Sequence, residues 1–238
     1  MRGIATLAFA LVAASAAHGA DLRSINALNQ GEFRLLAQDL AAASAFRGLS
    51  PARTLGSAGW EVSTGVGFTQ LHAPAVWRKA SFGKGVFTET VTPSLRASKG
   101  LPLGLEVGLT YGALDNAAAQ FAGAELRWSL VPGKSSALPG VGLRLASTRL
   151  TGIDNLRLSN VSYDLIVSKA FGSVTPYVAL GQVETEARAS GGTLMRESFS
   201  QRRVALGGQL NFGPVDLTLE GDLTGKTRSG SGRLGLRF

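Results

Sequence analysis

Residues 103–113 have the sequence LGLEVGLTYGA, in which two kinds of side chain alternate strictly. Leu103, Leu105, Val107, Leu109 and Tyr111 share one parity, and glycine, glutamate and threonine occupy the other. Successive side chains of a β-strand point to opposite faces, so this period of two predicts a strand with one apolar face and one small or polar face. The stretch is typical of β-structure and does not match a helical period.

The same alternation recurs to the end of the chain, with Gly, Pro, Asn, Asp or Ser between segments. Strands are predicted over residues 59–71, 90–99, 103–113, 120–131, 141–147, 158–169, 175–187, 203–212, 215–223 and 231–238. Connections after even-numbered strands are short, whereas residues 72–86 and 188–202 form long connections on the other side. This arrangement predicts an all-β protein, an antiparallel transmembrane β-barrel of about ten strands, with eight and twelve as alternatives.

A soluble β-sandwich would show similar alternation. Against it stand the apolar face on nearly every strand and the aromatic residues Trp60, Trp128 and Phe212 near strand ends, where membrane-interface girdles lie. The chain also ends GRLGLRF, with Leu234, Leu236 and Phe238 on one parity. We expect these three residues to face lipid and to form the terminus that directs membrane insertion.

Residues 59–238 resemble small outer-membrane β-barrel proteins of Gram-negative bacteria, and the resemblance is to an uncharacterised family in that class. The stretches that carry it are FRLLAQDLAAASAF, KGLPLGLEVG, AGAELRW, TPYVALG and GRLGLRF. The resemblance implies location in the bacterial outer membrane and recognition by the barrel-insertion machinery. It implies no known activity.

The first twenty residues have the layout of a secretory signal peptide: Arg2, an apolar run, then small residues. The apolar run is shorter than the roughly 20 residues that a spanning helix needs. Cleavage is predicted after Ala16 or after Ala20. The chain has no cysteine, so an exported fold must be stabilised without disulfides.

Between the signal peptide and the barrel, residues 21–58 form a separate N-terminal segment. Residues 30–45 predict an α-helix, because Phe33, Leu36, Leu40 and Ala43 recur at helical spacing. Two placements remain open. The helix is either a plug in the lumen, or it rests on the periplasmic rim or on another protein.

The polar parity of the strands predicts a charged barrel interior. Four cross-strand lumen charge pairs are predicted: Glu106 with Arg127, Glu125 with Arg144, Glu220 with Arg233, and Asp216 with Arg237. A lumen groove without bulky side chains is predicted from Gly65, Gly67, Gly104, Gly108 and Gly112. Such a groove permits the close approach of another element, and the plug helix is the candidate.

These features favour a structural or narrow-conduit role, because barrels of about eight strands are filled by their own side chains. One alternative is passage of a small, hydrophobic solute gated by the N-terminal helix, and another is a lipid-modifying enzyme. The catalytic candidates are weak. His72 and Ser81 have no flanking acid, and turns commonly use residues such as Asp115 and Asp154 for backbone hydrogen bonds. We therefore expect no enzyme activity, no cofactor and no metal.

The formal charge of +8 raises the question of anionic partners. The basic residues are scattered through alternating segments of an exported chain, so we expect no nucleic-acid binding. An outer-loop basic cluster is predicted from Arg78, Lys79, Lys84, Lys226 and Arg228. Outer-membrane lipids, lipopolysaccharide in particular, carry phosphate groups that suit such a cluster.

Overall fold

The structure, a computed structural model, describes residues 22–82, 88–132 and 138–238. The predicted signal peptide and Lys84 lie outside the described residues. The described part of the chain starts with a 3₁₀ turn, Ile25–Ala27, and helix α1, Gln30–Ser44; a second helix, α2, Pro74–Ala80, follows the first strand. No helix among the described residues combines the length and the apolar character that crossing a bilayer requires.

The described residues form ten strands in one closed antiparallel barrel, in which each strand pairs with its neighbours in sequence and β1 pairs with β10. The strands are β1 Trp60–Gln70, β2 Glu89–Gly100, β3 Leu105–Leu114, β4 Ala119–Val131, β5 Gly140–Thr151, β6 Leu156–Ser168, β7 Val174–Ala189, β8 Glu197–Phe212, β9 Val215–Thr224 and β10 Thr227–Arg237. The predicted ten-stranded barrel with a preceding helix is confirmed.

The two ends of the barrel differ. We call the turn end the one that holds the connections β2–β3, β4–β5, β6–β7 and β8–β9, together with the start of β1 and the end of β10. The loop end holds the other five connections, including α2 between β1 and β2. We call the parts of the barrel next to these ends the turn half and the loop half.

Along β5 to β8 the wall reverses its polarity between the two halves, as β5 and β6 show. In the turn half, Leu143 and Leu165 are exposed on the outside, while Arg144 and Asp164 are buried inside. In the loop half the polarity is opposite: Leu158 is buried inside and Ser159 is exposed outside. The turn half therefore has an apolar exterior, whereas the loop half has an apolar interior.

This reversal explains why some predicted strand boundaries were wrong. Strand β8 begins at Glu197, six residues before the predicted start at 203, because its first residues point apolar Phe199 inward and serines outward. Strand β10 begins at Thr227 rather than at 231, because its first four residues, Thr-Arg-Ser-Gly, contain no apolar side chain that an alternation pattern could recognise. In the opposite direction, Leu103 is not in β3, since it lies in a 3₁₀ turn with φ of 61°.

Helix α1 starts with a capping box, in which Asn29 accepts from the Glu32 amide and Glu32 accepts from the Asn29 amide. Its apolar residues Phe33, Leu36 and Leu40 are fully buried in the loop half. They belong to an apolar core with α2 and the inward side chains of the wall; wall members include Leu114, Phe121, Leu150, Leu158 and Phe199. The helix is therefore held by apolar burial inside the barrel.

The chain before β1 runs through the whole barrel, and we call residues 22–59 the lumenal segment. At the loop end, Asn26 donates to the Gly191 carbonyl in the β7–β8 connection, at 3.0 Å. At the turn end, the Gly100 amide donates to the Gly59 carbonyl at 2.9 Å. Of the two predicted placements of the helix, the structure has the one inside the lumen.

Candidate functional site in the barrel lumen

Beyond α1, the lumenal segment is extended and makes no ladder with a strand, so its backbone carbonyls need other donors. Wall arginines supply them. Arg203 Nη1 donates to the Phe46 carbonyl at 2.7 Å, and Arg127 Nη2 donates to the Pro51 carbonyl at 2.5 Å. Arg96 donates to the Gly48 carbonyl in the same way. These contacts hold the segment along its path to the turn end.

Each of these arginines is also bound by a carboxylate on a nearby strand. The ion pairs are Arg96 with Glu125, Arg127 with Glu106 at 2.8 Å, and Arg203 with Glu220 at 3.3 Å. All six side chains are buried. Charge-assisted hydrogen bonds in such a site are stronger than neutral ones, and removal of one partner leaves a buried charge. We call this set, with Arg144 and Asp164, the lumenal arginine network.

The predicted pair Glu106–Arg127 lies in register and forms its ion pair. The predicted pair Glu125–Arg144 is wrong, because β4 and β5 place Arg144 opposite Arg127 and Ala146 opposite Glu125. Arg144 instead binds Asp164 on β6, with Nη2 to Oδ2 at 2.8 Å. The repulsion between the facing arginines is relieved because each has its own acid on the far side.

The last hairpin was also predicted two residues out of register. A two-residue turn joins Thr224 to Thr227, which puts Thr218, not Glu220, opposite Arg233. Arg233 therefore binds Asp216 at 2.8 Å and also binds Glu61, across the seam between β10 and β1. The predicted pair Glu220–Arg233 is wrong.

The other predicted pair of this hairpin, Asp216 with Arg237, does form an ion pair, at 3.1 Å. Arg237 also binds Glu61 at 3.1 Å. Sequence analysis did not assign Glu61 a role. Its inward parity on β1, in an otherwise small and uncharged face, was a usable signal.

Arg47 anchors the lumenal segment from within. Its guanidinium donates to the Ala43 and Ala42 carbonyls at 3.0 and 2.9 Å, which caps the C-terminal end of α1. The same side chain forms an ion pair with Asp222 on β9 at 3.3 Å. Arg47 therefore ties the end of the helix to the wall at the middle of the barrel.

The predicted glycine groove does not receive α1. Gly108 faces Glu125, and Gly112 faces the ring of Phe121, so side chains of β4 occupy that space. Gly65 faces Ser94 and the Gly232 backbone, while Gly104 lies in the turn before β3 with φ of +73°. Only Gly67 meets the lumenal segment, through Arg47. The helix lies in the lumen, but its predicted contact with this groove is wrong, because Glu125 and Phe121 of the neighbouring strand cover Gly108 and Gly112.

Asp39 joins three elements at the loop end. One carboxylate oxygen accepts from the His72 amide and the other from the Ala73 amide, both at 3.0 Å, and Trp77 Nε1 donates to the latter oxygen at 3.0 Å. Thr227 Oγ1 donates at 3.3 Å. Burial raises the pKa of Asp39, and these hydrogen bonds oppose that rise. The aspartate thereby fixes α2 as a cover over α1.

No role was predicted for Asp39. The signal available was a single acid in the run LLAQDLAAA, where an exposed face would normally carry several polar residues. The structure buries the helix on most sides near Asp39, and Gln38 is only half buried.

The predicted outer-loop basic cluster is divided. Lys79, on α2, lies 2.7 Å from Glu32 and lowers the pKa of that carboxyl by hydrogen bonding. Arg228 lies opposite Gln70 on the outer wall, and Lys226 is exposed in the turn before it. Arg78 is exposed on α2. One of the four described members is thus bound to the lumenal segment.

At the turn end, the terminal residues pair with the first strand. The Phe238 amide donates to the Trp60 carbonyl at 3.0 Å, and the Trp60 amide donates back at 2.8 Å. Leu234 and Phe238 are exposed on the outside, and Leu236 shares their parity. The C-terminal strand therefore completes the barrel seam and presents apolar side chains to the exterior.

Two of the catalytic candidates, Asp115 and Ser81, are engaged in local structure, and the side chain of His72 is exposed. Asp115 accepts from Thr90 Oγ1 and from the Val91 amide, at 2.9 and 2.8 Å. Ser81 Oγ is directed to the Arg78 carbonyl at 3.2 Å. Asp154 is exposed in the β5–β6 connection. The described residues contain no group of three or more His, Cys, Asp or Glu side chains that could hold a metal ion.

The lumen contains a vestibule at the turn end, with a volume of about 610 Å³, lined by Arg53, Leu55, Glu106, Arg127, Gln209 and Arg237 among others. Further in, a gap of only about 30 Å³ lies between Arg47, Leu49 and Phe121. The apolar core of α1 and α2 fills the loop half beyond it. The vestibule therefore narrows to a closed interior.

No protein-family model and no curated protein sequence matches this chain. Solved structures with a similar fold include the Yersinia pestis outer membrane protein Ail, with 15% identity over 75% of this chain and 99% of Ail, at a TM-score of 0.37. The Acinetobacter baumannii outer membrane protein Omp33 has 8% identity over 78% of this chain and 100% of its own, also at 0.37. The N-terminal β-barrel domain of Pseudomonas aeruginosa OprF has 12% identity over 77% of this chain and 99% of its own, at 0.34.

Proposed function

We propose that this protein is an integral outer-membrane β-barrel whose lumen is closed by its own N-terminal segment, and that its role is structural. The observation that carries the proposal is the lumenal arginine network, whose guanidinium groups bind carbonyls of the lumenal segment. Charges in a selective pore would face water. The guanidinium groups of Arg96, Arg127 and Arg203 instead donate to backbone carbonyls of the lumenal segment.

The outer surface of the turn half supports the membrane location. Its exposed residues are leucine, valine and aromatic side chains, which would be unfavourable in water over so large an area. Trp60, Trp128, Phe171 and Phe212 lie on the outside near the turn end, while Tyr111 and Tyr163 lie further towards the loop end. Aromatic residues at two levels are typical of the two interfaces of a bilayer.

The same rules give the orientation. Outer-membrane barrels have short periplasmic turns and longer extracellular loops, so the turn end faces the periplasm. The loop half, with its polar exterior, then lies above the apolar belt on the cell surface. The start of the lumenal segment lies at that surface, and its end lies at the periplasmic side.

Single-channel conductance in a planar bilayer tests the closure. The refolded full-length protein should show no steps, and a variant that lacks residues 22–58 should conduct. Because that deletion leaves the wall arginines without their carbonyl partners, a second variant keeps the test decisive if the deletion fails to fold.

The second variant is Ala52→Cys/Gly140→Cys in a chain that has no native cysteine. A Cβ atom at position 140 would lie 3.5 Å from that of Ala52, within the range of a disulfide. The disulfide should form in the folded barrel and keep it closed at voltages or urea concentrations that open the reduced form. Equal opening of the oxidised and reduced forms would show that the lumenal segment does not close the pore.

The second candidate function is a gated conduit for a small solute, and the vestibule favours it. A cavity of about 610 Å³ is large enough for a small molecule to enter from the turn end. Passage would then require withdrawal of the lumenal segment. Solute-dependent swelling of liposomes that contain the full-length protein would support this candidate, and swelling only after the deletion would contradict it.

A further inference from the structure

Three arginines stand together on the outside of the loop half. They are Arg149 on β5, Arg157 on β6 and Arg188 on β7, and all three are exposed. The register places Arg157 directly opposite Arg188. Arg149 is opposite Ser159, the next outward position on β6. We call these three residues the wall arginine triad.

Two facing arginines are unfavourable without an anion, because like charges directly opposite each other on antiparallel strands destabilise the pair. Within the described parts of the chain, the side chains of the triad make neither an ion pair nor a hydrogen bond. The neighbouring acid, Glu186, is bound by Arg196 at 2.5 Å. The positive charge of the triad is therefore left for a partner outside the chain.

The triad lines a shallow cavity of about 280 Å³, together with Ser159 and Glu186. Each guanidinium presents up to five N–H donors in a planar fork that matches the oxygens of a phosphoryl group. Ser159 adds a hydroxyl donor at the same place. These donors therefore suit an anion that carries several oxygen atoms. Because the three arginines are exposed, such an anion can reach them from outside the barrel.

The height of the triad on the wall indicates where that anion comes from. Along β6, outward residues run from Arg157 and Ser159 to Val161, Tyr163 and the apolar belt. Tyr163 is an exposed aromatic residue of the kind found at membrane interfaces. The triad therefore lies on the water side of this interface, at the level of lipid headgroups.

We propose that the wall arginine triad binds a phosphoryl group of an outer-leaflet lipopolysaccharide molecule. The proposal rests on the proposed outer-membrane function, which places that lipid beside the loop half. It identifies a site different from the outer-loop basic cluster, in which Lys79 is already bound to Glu32. The phosphoryl group bridges Arg157 and Arg188, and Arg149 binds it from the adjacent strand.

The test measures binding of purified lipopolysaccharide with a phosphorylated lipid A to the full-length barrel in phospholipid nanodiscs. The double variant Arg157→Gln/Arg188→Gln should bind about tenfold more weakly than the wild type, since it loses two charge-assisted contacts. Enzymatically dephosphorylated lipopolysaccharide should bind wild type and variant equally. Equal binding of the phosphorylated lipid to both proteins would overturn the site.

The matched control is Arg53→Gln/Lys169→Gln, which removes the same charge at the turn end. This control should bind like the wild type, and a loss as large as that of the triad variant would mean general attraction, which overturns the proposal. Inorganic phosphate is the second probe. If it alone protects the wild type from thermal unfolding as strongly as the lipid does, the ligand is a free anion and the lipid assignment is wrong.

Failure of the site can be distinguished from failure of the proposed function. Heat-modifiable migration and protease protection of the same samples report whether the barrel is inserted, whatever it binds. A wild type that does not insert contradicts the outer-membrane function, whereas insertion without phosphate-dependent binding contradicts only the site. Without lipopolysaccharide the triad variant should be at least as stable as the wild type, because a like-charge contact has been removed. If the double variant is poorly folded, Arg149→Gln provides the same comparison with one charge removed.

Discussion

The two halves of the barrel use the same alternation of side chains in opposite senses. In the turn half, leucines face out and an arginine network faces in; in the loop half, leucines face in and arginines face out. A strand period of two specifies that two faces differ, but not which solvent each face meets. The difference shows that the longer strands, β5 to β8, continue beyond the apolar belt and enclose an apolar core of their own.

The largest expected effect is in the turn half, where a buried ion pair is broken. Arg144→Met leaves Asp164 buried without its arginine and should lower the free energy of unfolding by about 3–5 kcal/mol, measured by urea titration in micelles. The double variant Arg144→Met/Asp164→Leu should recover much of this loss. If the single variant is as stable as the wild type, Asp164 does not depend on Arg144.

The polarity reversal can be tested with one substitution in each half of β8. Leu206→Arg puts a charge in the apolar belt and should cost about 2–4 kcal/mol in folding into liposomes. Ser200→Arg, six residues towards the loop end and opposite Glu184, should cost at most about 1 kcal/mol because the outside is polar at that level. Similar costs at the two positions would contradict the reversal.

A smaller effect is expected for the contact that joins α1 to α2 in the loop half. Asp39→Asn replaces one acceptor oxygen by an NH₂ group that faces donors, and should destabilise the protein by about 1–3 kcal/mol. Gln38→Asn is the control, because it introduces the same side chain at the preceding residue of the same helix. The difference should appear as earlier proteolysis of α2 on rising temperature, and identical proteolysis of the two variants would argue against the Asp39 contact.

The smallest effect is expected on the exposed surface of the loop half. Arg196→Gln removes the ion pair with Glu186, in which both side chains are about half exposed. Exposed pairs contribute at most about 1 kcal/mol to stability, so the urea concentration at the unfolding midpoint should hardly change. At high salt the change should be smaller still, because salt screens the pair. A loss of stability as large as that of Asp39→Asn would contradict the prediction and mean that the exposed ion pair stabilises the loop half.

The barrel and its strand number could be predicted from sequence because the alternation is a local property of each strand. Helix α1 was likewise predicted to within a residue of its end, since its apolar spacing is local. The boundaries of β8 and β10 were wrong for a related reason. The first residues of β8 follow the opposite polarity, and those of β10 contain no apolar side chain, so a membrane-strand pattern recognises neither.

The ion pairs were only partly predictable, since a shift of two residues keeps every side chain on its face but changes every partner. Glu106–Arg127 could be paired because a short connection sets the register of β3 and β4. Arg144 could not, because an acid was available on each neighbouring strand. The contacts to the Phe46, Gly48 and Pro51 carbonyls lay beyond sequence reasoning, since backbone acceptors leave no pattern in the side chains.

The path of the lumenal segment restricts the order in which the protein can assemble. The barrel, closed at the β1–β10 seam, encloses a segment that passes from one end to the other, and wall arginines bind carbonyls of that segment. Threading afterwards would require the bulk of α1 to pass the closed turn half. We therefore expect the segment to be in place before the seam closes, so that zipping of β10 onto β1 is the last step of folding.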